Sequence, residues 1–137
     1  MQFIKSLESY SEKLFQKPII LLGIIIIIGI IFRVYFTNWD IPPFAPDAFV
    51  FLIEGTSFSN GDFSYFSNRF LWPMFISFFF IFFHFDNNLD YFNLMRILTI
   101  IISIASVPII YFISKNYVDK KYAIIASMFF AVEPNII

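Results

Sequence analysis

Ionisable side chains are sparse in this chain, and three of them stand where chemistry can be read: Asp47, Arg69 and Arg96. Asp47 follows the rigid stretch Pro42-Pro43-Phe44-Ala45-Pro46. A carboxylate held there can act as general base on a hydroxyl acceptor, or serve as a helix N-cap, the commoner use of aspartate. Arg69 and Arg96 flank an aromatic patch, one before it and one after. A guanidinium at a lipid boundary can fork onto phosphate oxygens or anchor to lipid head groups. Glu133, inside an apolar run and next to Pro134, is costly unless paired or near water, and it can mark the outer end of a span. His84, the single histidine, lies between Phe83 and Phe85. With no second histidine and no cysteine it makes a poor metal ligand and reads as a packing or interfacial residue. No cofactor is implied, and metal dependence is not readable. No glycine-rich phosphate loop and no Ser-His-Asp signature is present, so nucleotide-driven transport and hydrolase chemistry gain no support.

The elements that must position these residues are set by an apolar composition. Of 137 residues, 59% are hydrophobic, 23% aromatic and 14% charged. A soluble domain carries about 25% charged residues, so a lipid solvent is the economical explanation and the fold class is all-α, polytopic and transmembrane. The net charge of −1 argues against a nucleic-acid partner, because phosphate-backbone binding needs a basic excess. The absence of cysteine excludes disulfides and thiolate metal sites.

Along the chain, Phe3, Leu7, Tyr10 and Leu14 line one face of an amphipathic helix over 2–16, placed at the membrane surface. A first span covers about 18–36, bracketed by Lys17 and by Arg33, which can snorkel to the interface. Residues 37–69 form a polar, turn-rich loop with one short helix from Asp47, its N-cap, to Gly55, just past its end. Ser59-Asn60-Gly61-Asp62 is a turn. Residues 70–85 hold eight phenylalanines and are broken early by Pro73. That run is shorter than a comfortable span and reads as re-entrant or interfacial. Asp86 to Asp90 makes a polar turn. A second span covers 91–114, kinked at Pro108. A basic loop over 115–121 leads into a third apolar run, 122–137, which suggests a truncated chain.

Orientation follows from the lysines. If 70–85 dips in and returns, Lys5, Lys13, Lys17, Lys115, Lys120 and Lys121 all lie in the cytoplasm, and Arg33, Arg69 and Arg96 lie at or near the outer face. That arrangement satisfies the positive-inside rule throughout. It predicts a multi-pass protein of the cell membrane with a cytoplasmic N-terminus and a large first extracytoplasmic loop containing short interfacial helices.

The order of features resembles a known family. A first span is followed by Ala45-Pro46-Asp47-Ala48-Phe49-Val50-Phe51, then Asn60-Gly61-Asp62-Phe63 and Asn68-Arg69-Phe70-Leu71-Trp72-Pro73. After these come Asn93-Leu94-Met95-Arg96 and the basic turn Val118-Asp119-Lys120-Lys121-Tyr122-Ala123. The set is similar to the N-terminal part of the C-type membrane glycosyltransferases, the group holding protein O-mannosyltransferases and aminoarabinose transferases. The resemblance runs from about Ile31 to the end and rests on loose motifs taken in order. It implies sugar transfer from a polyprenyl- or dolichyl-phosphate donor to an extracytoplasmic acceptor. Asp47 would be the catalytic carboxylate, Arg69 and Arg96 would meet the carrier phosphate, and membrane lipid and a lipid-linked sugar would be the partners. The family often has Asp-Glu where this chain has Asp47-Ala48, and its members are several times longer. The alternatives are a non-catalytic membrane subunit or scaffold, and a fragment of a transporter.

Overall fold

A computed structural model describes residues 17–64 and 69–132. The expected surface helix over 2–16, Glu133 and the end of the third apolar run lie outside the described residues. Those described form five α-helices and no strand: α1 (Pro18–Phe36), α2 (Pro46–Ser59), α3 (Leu71–Phe82), α4 (Asn88–Ser114) and α5 (Lys120–Val132). The all-α class expected from composition holds. The chain divides into two compact units, one of residues 1–37 with 100–137 and one of residues 38–99. Helix α4 contributes to both.

In the first unit α1 starts with Pro18 at a position whose N–H has no intrahelical partner. It ends where the Thr37 hydroxyl and backbone N–H both donate to the Arg33 carbonyl, at 2.6 and 3.1 Å. Its 19 residues reach about 28 Å, close to the roughly 30 Å of a bilayer core. Helix α4, with 27 residues, reaches about 40 Å and continues through Pro108. Both are long and apolar enough to cross a membrane. Only 22% of the apolar window of α1 is buried, and Ile19, Ile20, Ile27 and Ile31 point outward. The core helix of a soluble protein would be mostly covered. The core of this unit joins Leu22 and Ile25 of α1 to Val107 and Tyr111 of α4 and to Ala123, Ile124 and Ala131 of α5.

Directions in this unit follow from its contacts. The short turn between α4 and α5 makes them an antiparallel hairpin. Arg33 and Gly29, in the second half of α1, meet Ala131 near the end of α5. Leu22 and Ile25 belong to the same cluster as Ala123 and Tyr111 at the hairpin's closed end. Helix α1 therefore runs in the sense of α5 and against α4.

In the second unit α2 and α3 pack together with the first turns of α4 around Leu52, Ile76, Phe80, Phe92, Met95 and Leu98. Ring pairs stitch these helices: Phe49 with Phe92 at 5.0 Å, and Phe80 with Tyr91 at 4.7 Å. Helix α3 has 12 residues, about 18 Å, well short of a bilayer core. Pro73 does not interrupt it as expected. Proline in the first turn removes no intrahelical bond, and here it is buried.

Two other boundaries differ from expectation. The short helix placed at 47–55 runs from Pro46 to Ser59, with Ala45 as N-cap and Asp47 inside the first turn. Gly55 lies in the helix interior because a Cβ there would sit 2.9 Å from Ile76 Cδ1 and 3.0 Å from Phe80 Cε2. The stop comes at Gly61, whose φ of 78° suits glycine. There Gly61 N–H donates to the Phe58 carbonyl at 3.1 Å and Asp62 N–H to Ser57 at 2.9 Å, the Schellman pattern. The turn expected at 59–62 is this C-cap. Helix α4 begins at Asn88, inside the expected polar turn. Asn87 Oδ1 accepts from Leu89 N–H at 3.0 Å, which satisfies an N-terminal amide.

Candidate functional site

Asp47 and Arg69 come together. Asp47 sits in the first turn of α2, where a carboxylate also faces the positive end of the helix dipole. Arg69 precedes the first residue of α3, and its Nη1 donates to Asp47 Oδ2 across 22 positions of sequence. The carboxylate is not the N-cap, so the capping role is set aside. Both side chains stay open to the outside, Arg69 at 68% and Asp47 at 63% exposure. The pair is therefore reachable from outside the protein.

Arg96 lies in the same unit but is held differently. Its Nη1 donates to Asn93 Oδ1 at 2.8 Å, one helical turn back, and its Nη2 to the Ile41 carbonyl at 2.7 Å. The second bond ties the stretch before Pro42-Pro43 to the side of α4. Arg96 thus fixes the approach to α2 and only half faces outward. His84 is exposed and follows the end of α3. Beyond α2, the Asp62 carboxyl is held below the ordinary carboxylate range by hydrogen bonding to Ser64. Its Oδ1 accepts from the Ser64 backbone N–H at 2.9 Å. Among the described residues, no three His, Asp or Glu side chains gather where one ion could be held.

One charged residue escaped the sequence reading and another is placed differently from its expectation. Glu54 is 4% exposed and lies seven residues after Asp47 on α2, two turns along nearly the same face. The Asp47-to-Glu54 spacing was the available signal, masked by ending the helix at Gly55. Arg33 was expected to reach the interface and is instead 2% exposed. Its Nε donates to Ser103 Oγ at 3.1 Å, its Nη2 to the Phe130 carbonyl at 3.0 Å and its Nη1 to the Ala131 carbonyl. The last carbonyls of a helix lack intrahelical donors and carry its negative dipole end. A guanidinium with five donors satisfies them better than lipid could, so burial wins over snorkelling. Gly29 makes room for it: a Cβ there would stand 3.2 Å from both Arg33 Nη1 and the Ala131 carbonyl oxygen.

The chain matches no family model, no curated protein and no solved structure. The functional reading therefore rests on its own residues and their geometry.

Proposed function

We propose that this chain forms part of a multi-pass membrane glycosyltransferase that takes its sugar from a polyprenyl-phosphate carrier on the extracytoplasmic side. The observation that carries this reading is the open Asp47–Arg69 pair at the start of α2. It joins a proton acceptor to a phosphate-matching donor within one contact, next to an apolar, aromatic helix suited to a prenyl chain. In the transfer the acceptor hydroxyl oxygen attacks the anomeric carbon and the carbon–oxygen bond to the carrier phosphate breaks. Asp47 takes the hydroxyl proton, and the phosphate leaves with the bonding pair. Arg69 turns its guanidinium onto the departing oxygens, where fixed positive charge favours the transition state over the ground state. Arg96 holds the Ile41 stretch that leads into Asp47, and its free N–H groups offer a second phosphate contact.

The test uses the full protein in proteoliposomes with a synthetic polyprenyl-phosphate sugar and a hydroxyl acceptor, following release of polyprenyl phosphate. Transfer is expected in the unaltered protein, and background rates in Asp47→Asn with membrane insertion unchanged. Undiminished turnover in that variant removes Asp47 from the mechanism. Failure of the unaltered protein to bind the carrier removes the reading itself. The rival reading, a non-catalytic membrane subunit, draws on the same contact, because a carboxylate and a guanidinium that neutralise each other also suit a surface without chemistry. Tight retention of the carrier phosphate by the unaltered protein, weakened in Arg69→Gln, separates the two.

A further inference from the structure

The Asp47–Arg69 contact holds together two groups that the proposed transfer uses separately. Arg69 Nη1 donates to Asp47 Oδ2, so a donor meant for a phosphate and an acceptor meant for a hydroxyl are engaged with each other. The backbones that carry them are fixed. Helices α2 and α3 meet closely at Gly55, where a Cβ would stand 2.9 Å from Ile76 Cδ1. Leu52 of α2 shares one buried cluster with Ile76 and Phe80 of α3. Parting of the pair is therefore left to side-chain rotation. There is room for it, since the two side chains are 68% and 63% exposed, and an exposed pair resists separation only weakly. Asp47 keeps a favourable setting when Arg69 swings away, because the first turn of α2 presents the positive end of the helix. A phosphate competes well for the guanidinium, taking charge-assisted, forked N–H bonds from it.

We infer that this pair is a latch on the site, opened by the carrier phosphate, so that the sugar donor binds before the acceptor. The inference rests on the sugar-transfer reading and adds an order to it. With the pair closed, Asp47 Oδ2 accepts from a guanidinium, whereas a general base must reach the proton that it takes. Arrival of the phosphate draws Arg69 across and leaves that oxygen to the acceptor hydroxyl. The latch also weakens donor binding. Only the open fraction of the protein takes the phosphate, and the apparent affinity falls in proportion to that fraction. The strength of an exposed ion pair sets this penalty at up to roughly fivefold. Removing the Asp47 charge lifts it. A residue required for transfer thus opposes donor binding, the reverse of what a side chain that merely contacts the donor would do.

Farnesyl phosphate, a short polyprenyl phosphate without sugar, is titrated calorimetrically into the full protein in detergent micelles, with farnesol as the control for the chain. Asp47→Asn is expected to bind it severalfold more tightly than the unaltered protein, and Arg69→Gln more weakly. Both changes fall on exposed side chains, so the fold is expected to survive them. The double variant decides the cause, because the gain from Asp47→Asn is expected to vanish once Arg69 is replaced. An unchanged or weaker affinity in Asp47→Asn overturns the latch and leaves the sugar-transfer reading standing. A gain of equal size with and without Arg69 also overturns it, since plain repulsion between carboxylate and phosphate then accounts for the result. Inorganic phosphate binding as tightly as farnesyl phosphate assigns the opening to a soluble anion and overturns the donor-first order. Failure of both the unaltered protein and Asp47→Asn to bind farnesyl phosphate overturns the latch and the sugar-transfer reading together.

Discussion

A carboxylate and a guanidinium that meet in the open contribute little to folding, because water screens them and both side chains lose rotamer freedom. Exposed pairs are worth about 0–1 kcal/mol, so Asp47→Asn is expected to shift unfolding of the detergent-solubilised protein by less than about 1 kcal/mol. On the proposed reading the same change abolishes transfer. A thermal scan beside a turnover assay separates the roles, and a large loss of stability would make Asp47 structural. Arg33 is the opposite case. It is buried and serves Ser103 and the Phe130 and Ala131 carbonyls in the last turn of α5, so replacing it with Leu removes the donor from each of them. A cost of about 1–3 kcal/mol is expected for the orphaned groups, with Arg33→Lys falling between because an ammonium lacks the planar fork. Equilibrium unfolding in mixed micelles measures both. An unchanged stability in Arg33→Leu would show that the contacts are dispensable.

Helices were more legible in the sequence than their ends. Charge-free runs, one between Lys17 and Arg33 and one between Arg96 and Lys115, announced α1 and α4, because an apolar stretch of that length has few other uses. Asp47, Arg69 and Arg96 were visible as isolated charges beside apolar patches. That Asp47 and Arg69 would touch was not, since the contact depends on how α2 and α3 pack. Gly55 shows why the boundary failed. Glycine ends helices by default, and only tertiary contact reveals a glycine kept for space. At this site the helix-propensity gain of Gly55→Ala, about 1 kcal/mol, opposes a clash with Ile76 Cγ1 and the Phe80 ring at 3.0 Å. Both partners are fully buried and have little freedom to retreat, so the clash wins. We expect net destabilisation of about 1–2 kcal/mol. The Ile76→Ala background should relieve part of it, so the double variant is less damaging than the two changes added. Strict additivity in that cycle would mean the contact is not what keeps residue 55 small. Arg33 failed for a related reason: nothing local distinguishes an arginine that reaches lipid head groups from one that finds three acceptors on other helices.

At the scale of the molecule, the sense of the helices in the first unit makes a demand that composition alone did not. Helix α1 runs with α5 and against α4, so the start of α1 and the turn before α5 lie at one end of this unit. The finish of α1 lies at the other. If α1 and α4 cross a bilayer, Lys17 and Lys120 face one compartment and Tyr35 faces the opposite one. The segment between α1 and α4 must then return to the side on which it left, whatever α3 does within the lipid. An α3 of about 18 Å is too short to cross alone, which agrees with that return. Because the chain has no cysteine, single-cysteine variants at Lys17, Tyr35 and Lys120 report without background. In sealed, oriented vesicles, an impermeant maleimide is expected to label the Lys17 and Lys120 positions from the same side and the Tyr35 position from the other. The lysine-rich end is expected to be the cytoplasmic one, since lysine retained on that side is the cheaper outcome of insertion. Labelling of Lys17 and Lys120 from opposite sides would require 38–87 to cross an odd number of times. It would break the parallel packing of α1 on α5 and with it the shared outer compartment that the sugar-transfer proposal needs.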